Sequence, residues 1–174
     1  MKIFTENLEY YIDQYELEKQ IFQLGKQIKG RGWLEKTEFL TICLWKSRRP
    51  KKLYYLNSDK EIISKSKLAF VEKDELEKIK ILTDLKGVRI PTASAILSVF
   101  NPEIYPIIDI RCVQSLNDLG IISWKTITEK SWIEYLSIIR NLAEQTGKTA
   151  RQIEKGLFAY NRINLDKEYI NLYK

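Results

Sequence analysis

Three stretches of the chain carry residues whose types and spacing could do chemistry. The first is LTDLKGVRIPTASAIL, residues 82–97, where Gly87-Val88 makes a tight turn ahead of a helix rich in small side chains. The second is the proline-punctuated loop NPEIYP, residues 101–106, which runs through Ile107-Ile108 into a lone carboxylate, Asp109. The third is WKSRRPKK, residues 45–52, with five basic side chains and no acid. A turn followed by a helix N-terminus aims backbone N–H groups in one direction and suits a phosphate. A carboxylate set behind apolar residues can stabilise a developing positive charge and orient or deprotonate water. A cluster of arginines and lysines suits the phosphates of a nucleic acid backbone.

Composition removes many alternatives. The chain has 174 residues and no histidine, which excludes Ser-His and Cys-His triads and every Cys/His zinc site. Its two cysteines, Cys43 and Cys112, lie in apolar surroundings and suit a reducing compartment rather than a disulfide framework. Twenty-nine basic residues against twenty-three acidic ones leave a net charge of +6, which favours an anionic partner. The start, MKIFTENLEYYIDQ, lacks the apolar core of a signal peptide, and no stretch reaches the ~20 apolar residues of a membrane span. A cytoplasmic protein without a membrane partner is expected.

The elements that must position these residues are helical. Leu8, Tyr11, Ile12 and Tyr15 recur at helical spacing, and Leu17, Ile21, Leu24 and Ile28 continue the stripe to a helix-ending Gly30-Arg31-Gly32. Thr37 is placed to cap TEFLTICLW, Asn57 or Ser58 to start a helix ending near Phe70, and Asp74 with Glu77 to open ELEKIKILTDL. Pro91 suits the first turn of a helix that buries Ala93, Ile96, Leu97 and Phe100. RCVQSLNDLG should close at Gly120. Ser131 with Glu134, and Thr149 with Gln152, are spaced as capping boxes for the last two helices. KKLYYL, residues 51–56, is the nearest approach to a strand. The expected fold is all-α, with about eight helices in a single compact unit over 1–174.

The stretch 76–116 resembles the helix-hairpin-helix DNA glycosylases of base excision repair. In that superfamily a hairpin within a span like 76–100 is followed by a Gly/Pro-rich loop ending in a catalytic aspartate, here residues 101–111. Lyase-type members place a catalytic lysine in the hairpin eighteen residues before the aspartate. Counting back from Asp109 reaches Pro91, so Schiff-base lyase chemistry is not expected. What the resemblance implies is a monofunctional DNA N-glycosylase releasing a damaged or mismatched base, with Asp109 as its catalytic carboxylate. Double-stranded DNA would be held by Lys86, Gly87, Val88, Arg89, Thr92 and Arg111, together with Lys46, Arg48, Arg49, Lys51 and Lys52 of the basic segment. No cofactor or metal is required, although such hairpins often hold a monovalent cation through carbonyls, here those of residues 86–89. A monomer is expected. Arg89 in place of the second hairpin glycine, a loop without glycine, and Ile110-Arg111 after the aspartate depart from the pattern.

Plainer readings stand beside these. Asp109 precedes an apolar helical segment and could serve only as its N-cap. The hairpin could be an ordinary helical corner, and Trp45 could be core. A protein that kept the fold and the DNA surface but lost the chemistry is the alternative to an enzyme. Thr146-Gly147-Lys148-Thr149 superficially suggests a phosphate loop, but Leu142 stands where its first glycine is needed.

Overall fold

The computed structural model describes residues 2–15 and 20–165. Among them are eleven α-helices, one 3-10 turn and no strand. In order these are α1 (Lys2–Glu6), α2 (Leu8–Asp13), the 3-10 turn Gln20–Gln23, α3 (Leu24–Arg31), α4 (Lys36–Lys46) and α5 (Lys51–Tyr55). Then follow α6 (Asp59–Val71), α7 (Glu75–Thr83), α8 (Ile90–Phe100), α9 (Ile110–Asp118), α10 (Glu129–Thr146) and α11 (Ala150–Asn164). The all-α class agrees with the sequence; the count of about eight does not.

The extra elements have local causes. α1 lies ahead of the first stripe, which opens at Leu8 after Asn7, and within the stripe Ile21 falls in the 3-10 turn; Leu17 lies outside the described residues. Gly30 and Arg31 belong to α3, and only Gly32 ends it, at φ 85°. KKLYYL forms no strand: Pro50 precedes a short helix whose single buried side chain, Tyr54, is flanked by exposed neighbours. Two caps also move. Glu35 rather than Thr37 opens α4, its N–H donating to Glu38 at 2.8 Å. Thr128 rather than Ser131 opens α10, and Ser131 supplies the reciprocal side chain. Ser58 and Thr149 cap as their spacing predicts; Asp74 caps α7 with its own side chain, but its N–H donates to Glu72 at 2.9 Å, so the box expected with Glu77 does not close. Phe100 is only half-buried and stacks on Phe70 with ring centroids 3.9 Å apart.

α8 is the centre of the molecule. Every residue from Thr92 to Val99 is buried, and α3, α4 and α7 pack around it. A helix apolar on all sides has no solvent face to give up, so it must be enclosed. α11 makes the second packing centre, against α2, α9 and α10. The α3–α8 contact depends on Gly25, where a Cβ would collide with the Val99 carbonyl oxygen. Gly30, five residues further along α3, faces open space. The two glycines therefore make a matched test. Gly25→Ala should destabilise by about 2–3 kcal/mol through overpacking, lowering Tm by roughly 5–10 °C for a chain of this size. Gly30→Ala should be neutral or stabilising by up to ~1 kcal/mol. Thermal unfolding of both variants checks this; equal effects would contradict the packing.

Candidate active site

Asp109 is held at the end of a loop whose backbone is tied down along its length. The carbonyls of Pro102 and Glu103 accept the first N–H groups of α11, from Arg151 at 3.0 Å and Ala150 at 2.9 Å. Arg140 Nε donates to the Ile104 carbonyl at 3.0 Å, and the Tyr135 hydroxyl donates to the Ile107 carbonyl at 3.0 Å. The Ile108 N–H donates to Ser94 Oγ of α8 at 3.1 Å. Ser94 is small enough to lie within the core, and its hydroxyl satisfies a buried amide that the loop would otherwise orphan. Hairpin helix and loop are thus joined one residue before the carboxylate.

The two oxygens of Asp109 have different partners. Oδ1 caps α9, accepting the N–H groups of Arg111 at 3.0 Å and Cys112 at 3.1 Å. Oδ2 accepts from Lys46 Nζ at 3.1 Å. Both side chains are largely enclosed, Lys46 at 14% and Asp109 at 19% exposure. Burial pushes the carboxyl up, but the Lys46 ammonium and the Cys112 N–H outweigh it and hold Asp109 below the ordinary carboxylate value. Asp109 is therefore both the predicted cap and a charged group facing a cavity.

That cavity is a pocket of about 320 Å³ walled by Tyr15, Trp45 and Phe158, with Ile107 beside Asp109. Lys46 and Glu154 bring further charge to it. Glu154 is 2% exposed and is ion-paired with Arg151, whose Nη2 donates to the Tyr15 hydroxyl at 2.9 Å. The guanidinium also lies over the rings of Tyr15 and Phe22, at 4.9 and 4.8 Å. Trp45 stands edge-on to Phe22 and separates this pocket from a larger open groove of about 890 Å³, which carries Gln23, Gln27 and Arg48. Tyr15, Glu154 and Phe158 were missed by sequence reasoning. Arg151 and Glu154, three apart inside the apolar stripe of ARQIEKGLFAY, were the available signal of a buried charge pair.

The predicted binding residues divide. Gly87 turns at φ 84°, and its missing Cβ leaves room for Leu53 and the Tyr54 ring, which a Cβ would meet at 2.9 and 3.0 Å. Asn57 grips the same turn, donating to the Lys86 carbonyl at 3.0 Å and accepting the Lys86 N–H at 2.8 Å. The side chains of Val88 and Thr92 are buried, with Thr92 Oγ1 3.4 Å from the Tyr54 hydroxyl. Arg89 is exposed at the backbone N-cap of α8, while Lys86 is exposed and reaches the Leu56 carbonyl at 3.2 Å. Arg111 donates to Asn161 at 3.1 Å and lies over the Phe158 ring. Lys46 turns inward to Asp109. Arg48, Arg49, Lys51 and Lys52 are exposed, with no ion-pair partner among the described residues. Of the carbonyls expected to face a cation, Lys86's serves Asn57 and Arg89's accepts the Thr92 and Ala93 N–H groups.

The depressed Asp109 value has a signed consequence for stability. A carboxylate whose folded pKa lies below its unfolded one stabilises the fold above the unfolded value and loses that contribution as pH falls through the folded value. Asparagine caps about as well as aspartate but carries no charge. The stability gap between wild type and Asp109→Asn should therefore be constant above about pH 5 and narrow below about pH 4, as measured by urea unfolding across pH. A gap that does not change with pH would contradict the ion pair. Neither a family model, nor a curated protein, nor a solved structure matches this chain.

Proposed function

We propose that the protein is a DNA N-glycosylase of the helix-hairpin-helix kind, with Asp109 as its catalytic carboxylate. The observation that carries this reading is the course of residues 46–57. The segment begins at Lys46 on Asp109, passes through the exposed cations Arg48, Arg49, Lys51 and Lys52, and ends with Leu53, Tyr54 and Asn57 around the Gly87 turn. One short stretch of chain therefore connects a carboxylate pocket to a phosphate-binding type of turn by way of a basic surface. A duplex lying on Arg48, Arg49, Lys51, Lys52 and Arg89 would bring its backbone within reach of a pocket with aromatic walls, which suits a flipped nucleotide.

In this reading Asp109 stabilises the positive charge that grows on the deoxyribose as the bond to the base breaks. Its Oδ1 remains bonded to the α9 N–H groups, which keeps the carboxylate ionised and fixed in direction. The low exposure of the site strengthens the interaction by limiting screening. A phosphate drawing Lys46 away would leave that charge free to act. The capping role of Oδ1 supports the second reading, a non-catalytic DNA-binding module in which Asp109 serves only α9.

Base release from duplexes carrying single deaminated, oxidised, alkylated or mismatched bases separates the two. The enzyme reading expects release from at least one duplex, reduced on the order of 10²-fold or more in Asp109→Asn, with DNA affinity retained. No release by either protein, at equal affinity, would leave the module reading. Binding itself is tested by salt: log K should fall with log salt by about 0.9 per phosphate contacted, and Arg48→Ala or Arg49→Ala should each reduce the slope by about one contact. Absence of binding at low salt would remove both DNA readings.

A further inference from the structure

We infer that the open groove beside Trp45 binds an unpaired nucleotide of a DNA strand, with the base on its apolar surface and the phosphate on Arg48. The inference rests on the DNA-binding reading for its ligand, and on the groove itself for its chemistry. At about 890 Å³ the groove has the size of a site for a planar ligand with its sugar and phosphate. Leu24 and Trp45 give it half-buried apolar surface, and Gln20, Gln23 and Gln27 line it with them. Gln20 opens the 3-10 turn, Gln23 closes it, and Gln27 follows in α3, so spacings of three and four gather the three amides on one face. All three are exposed, and their side chains have no hydrogen-bond partner among the described residues. Arg48, the first of the exposed basic run, is the one charged side chain among the described residues of the lining.

A carboxamide is uncharged and carries donors and an acceptor together. The edges of a base present the same mixture, so a row of amides matches them without calling for a charged ligand. Aromatic and apolar surface suits the face of a base, whatever its identity. In an intact duplex those faces are hidden in the stack, and only an unpaired base offers face and edges at once. An apolar peptide would leave the amides idle, and a paired duplex would leave the apolar surface uncovered. Trp45 also walls the carboxylate pocket. Consecutive nucleotides of one strand can therefore occupy the two cavities, with the indole between them. The nucleotide proposed to face Asp109 then has its unpaired neighbour in the groove.

The test needs no base release. A short mixed-sequence single strand is compared, by fluorescence anisotropy at low salt, with a strand of equal length and charge built from abasic sugar units. The base-carrying strand should bind at least about fivefold more tightly, the low end of what one stacked base contributes. Gln23→Ala combined with Gln27→Ala, at exposed positions of helical backbone where alanine is favourable, should remove most of that preference without loss of helicity. Tryptophan fluorescence should be quenched by the base-carrying strand, and the quenching should be lost in Trp45→Phe, which keeps a ring against Phe22. Equal binding of the two strands, or a preference unchanged by the glutamine substitutions, overturns the groove assignment. Free deoxynucleoside monophosphates should bind more weakly than the strand, which adds neighbouring phosphates; equal affinity overturns the strand as occupant. Base release from duplexes alongside any of these failures would remove this inference and leave the glycosylase reading standing.

Discussion

The contact between Lys46 and Asp109 is the constraint on which the candidate site depends. It joins the end of α4 to the start of α9, two elements far apart in sequence, and it does so with both charges mostly withdrawn from water. A withdrawn charge is tolerated only when it is paired and hydrogen-bonded. Lys46 without Asp109, or Asp109 without Lys46, would be a buried charge lacking its main compensation. The α9 N-terminus adds its backbone donors to the same carboxylate, so the negative charge sits where a helix favours one. Position of the lysine then sets the direction in which residues 47–52 leave the core, and with it the basic surface.

The remaining architecture supplies rigidity to this pair. α8 is enclosed on all sides, and from it Ser94 holds the Ile108 amide while Thr92 lies against Tyr54 of α5. Tyr135 of α10 and the first turn of α11 take up the loop's carbonyls. The hairpin, the basic segment and the aspartate loop are therefore fastened to one central helix rather than to one another by surface contacts alone. Precision of this kind is what a carboxylate needs if it is to meet a charge that exists only in a transition state.

Much of this organisation was legible in the sequence, and the exceptions have physical causes. The caps at Ser58, Asp74, Thr149 and Asp109 were readable because each is a local hydrogen-bonding pattern of three or four residues. The Gly87 turn was readable because its backbone must adopt a positive φ, which few other residues tolerate. The KKLYYL helix was obscured because five residues are too few to display a period. The helix count failed where α1 precedes the first apolar stripe and where the 3-10 turn interrupts it, since neither Asn7 nor residues 20–23 include a proline or glycine. Lys46 looked like one of five equivalent cations, since nothing in WKSRRPKK marks which side chain turns inward. Glu154 and Phe158 were hidden for a similar reason: a pocket assembled from α2, α4, α9 and α11 is a property of packing, and each wall alone reads as ordinary core or surface.

If the pair is the keystone, the two residues must be energetically coupled. A double-mutant cycle on stability, with Lys46→Met, Asp109→Asn and the combined variant, measures that coupling directly. The expected coupling is about 1 kcal/mol or more at pH 7, and it collapses below about pH 4 as Asp109 is protonated. Additive effects, within about 0.5 kcal/mol at both pH values, would contradict it.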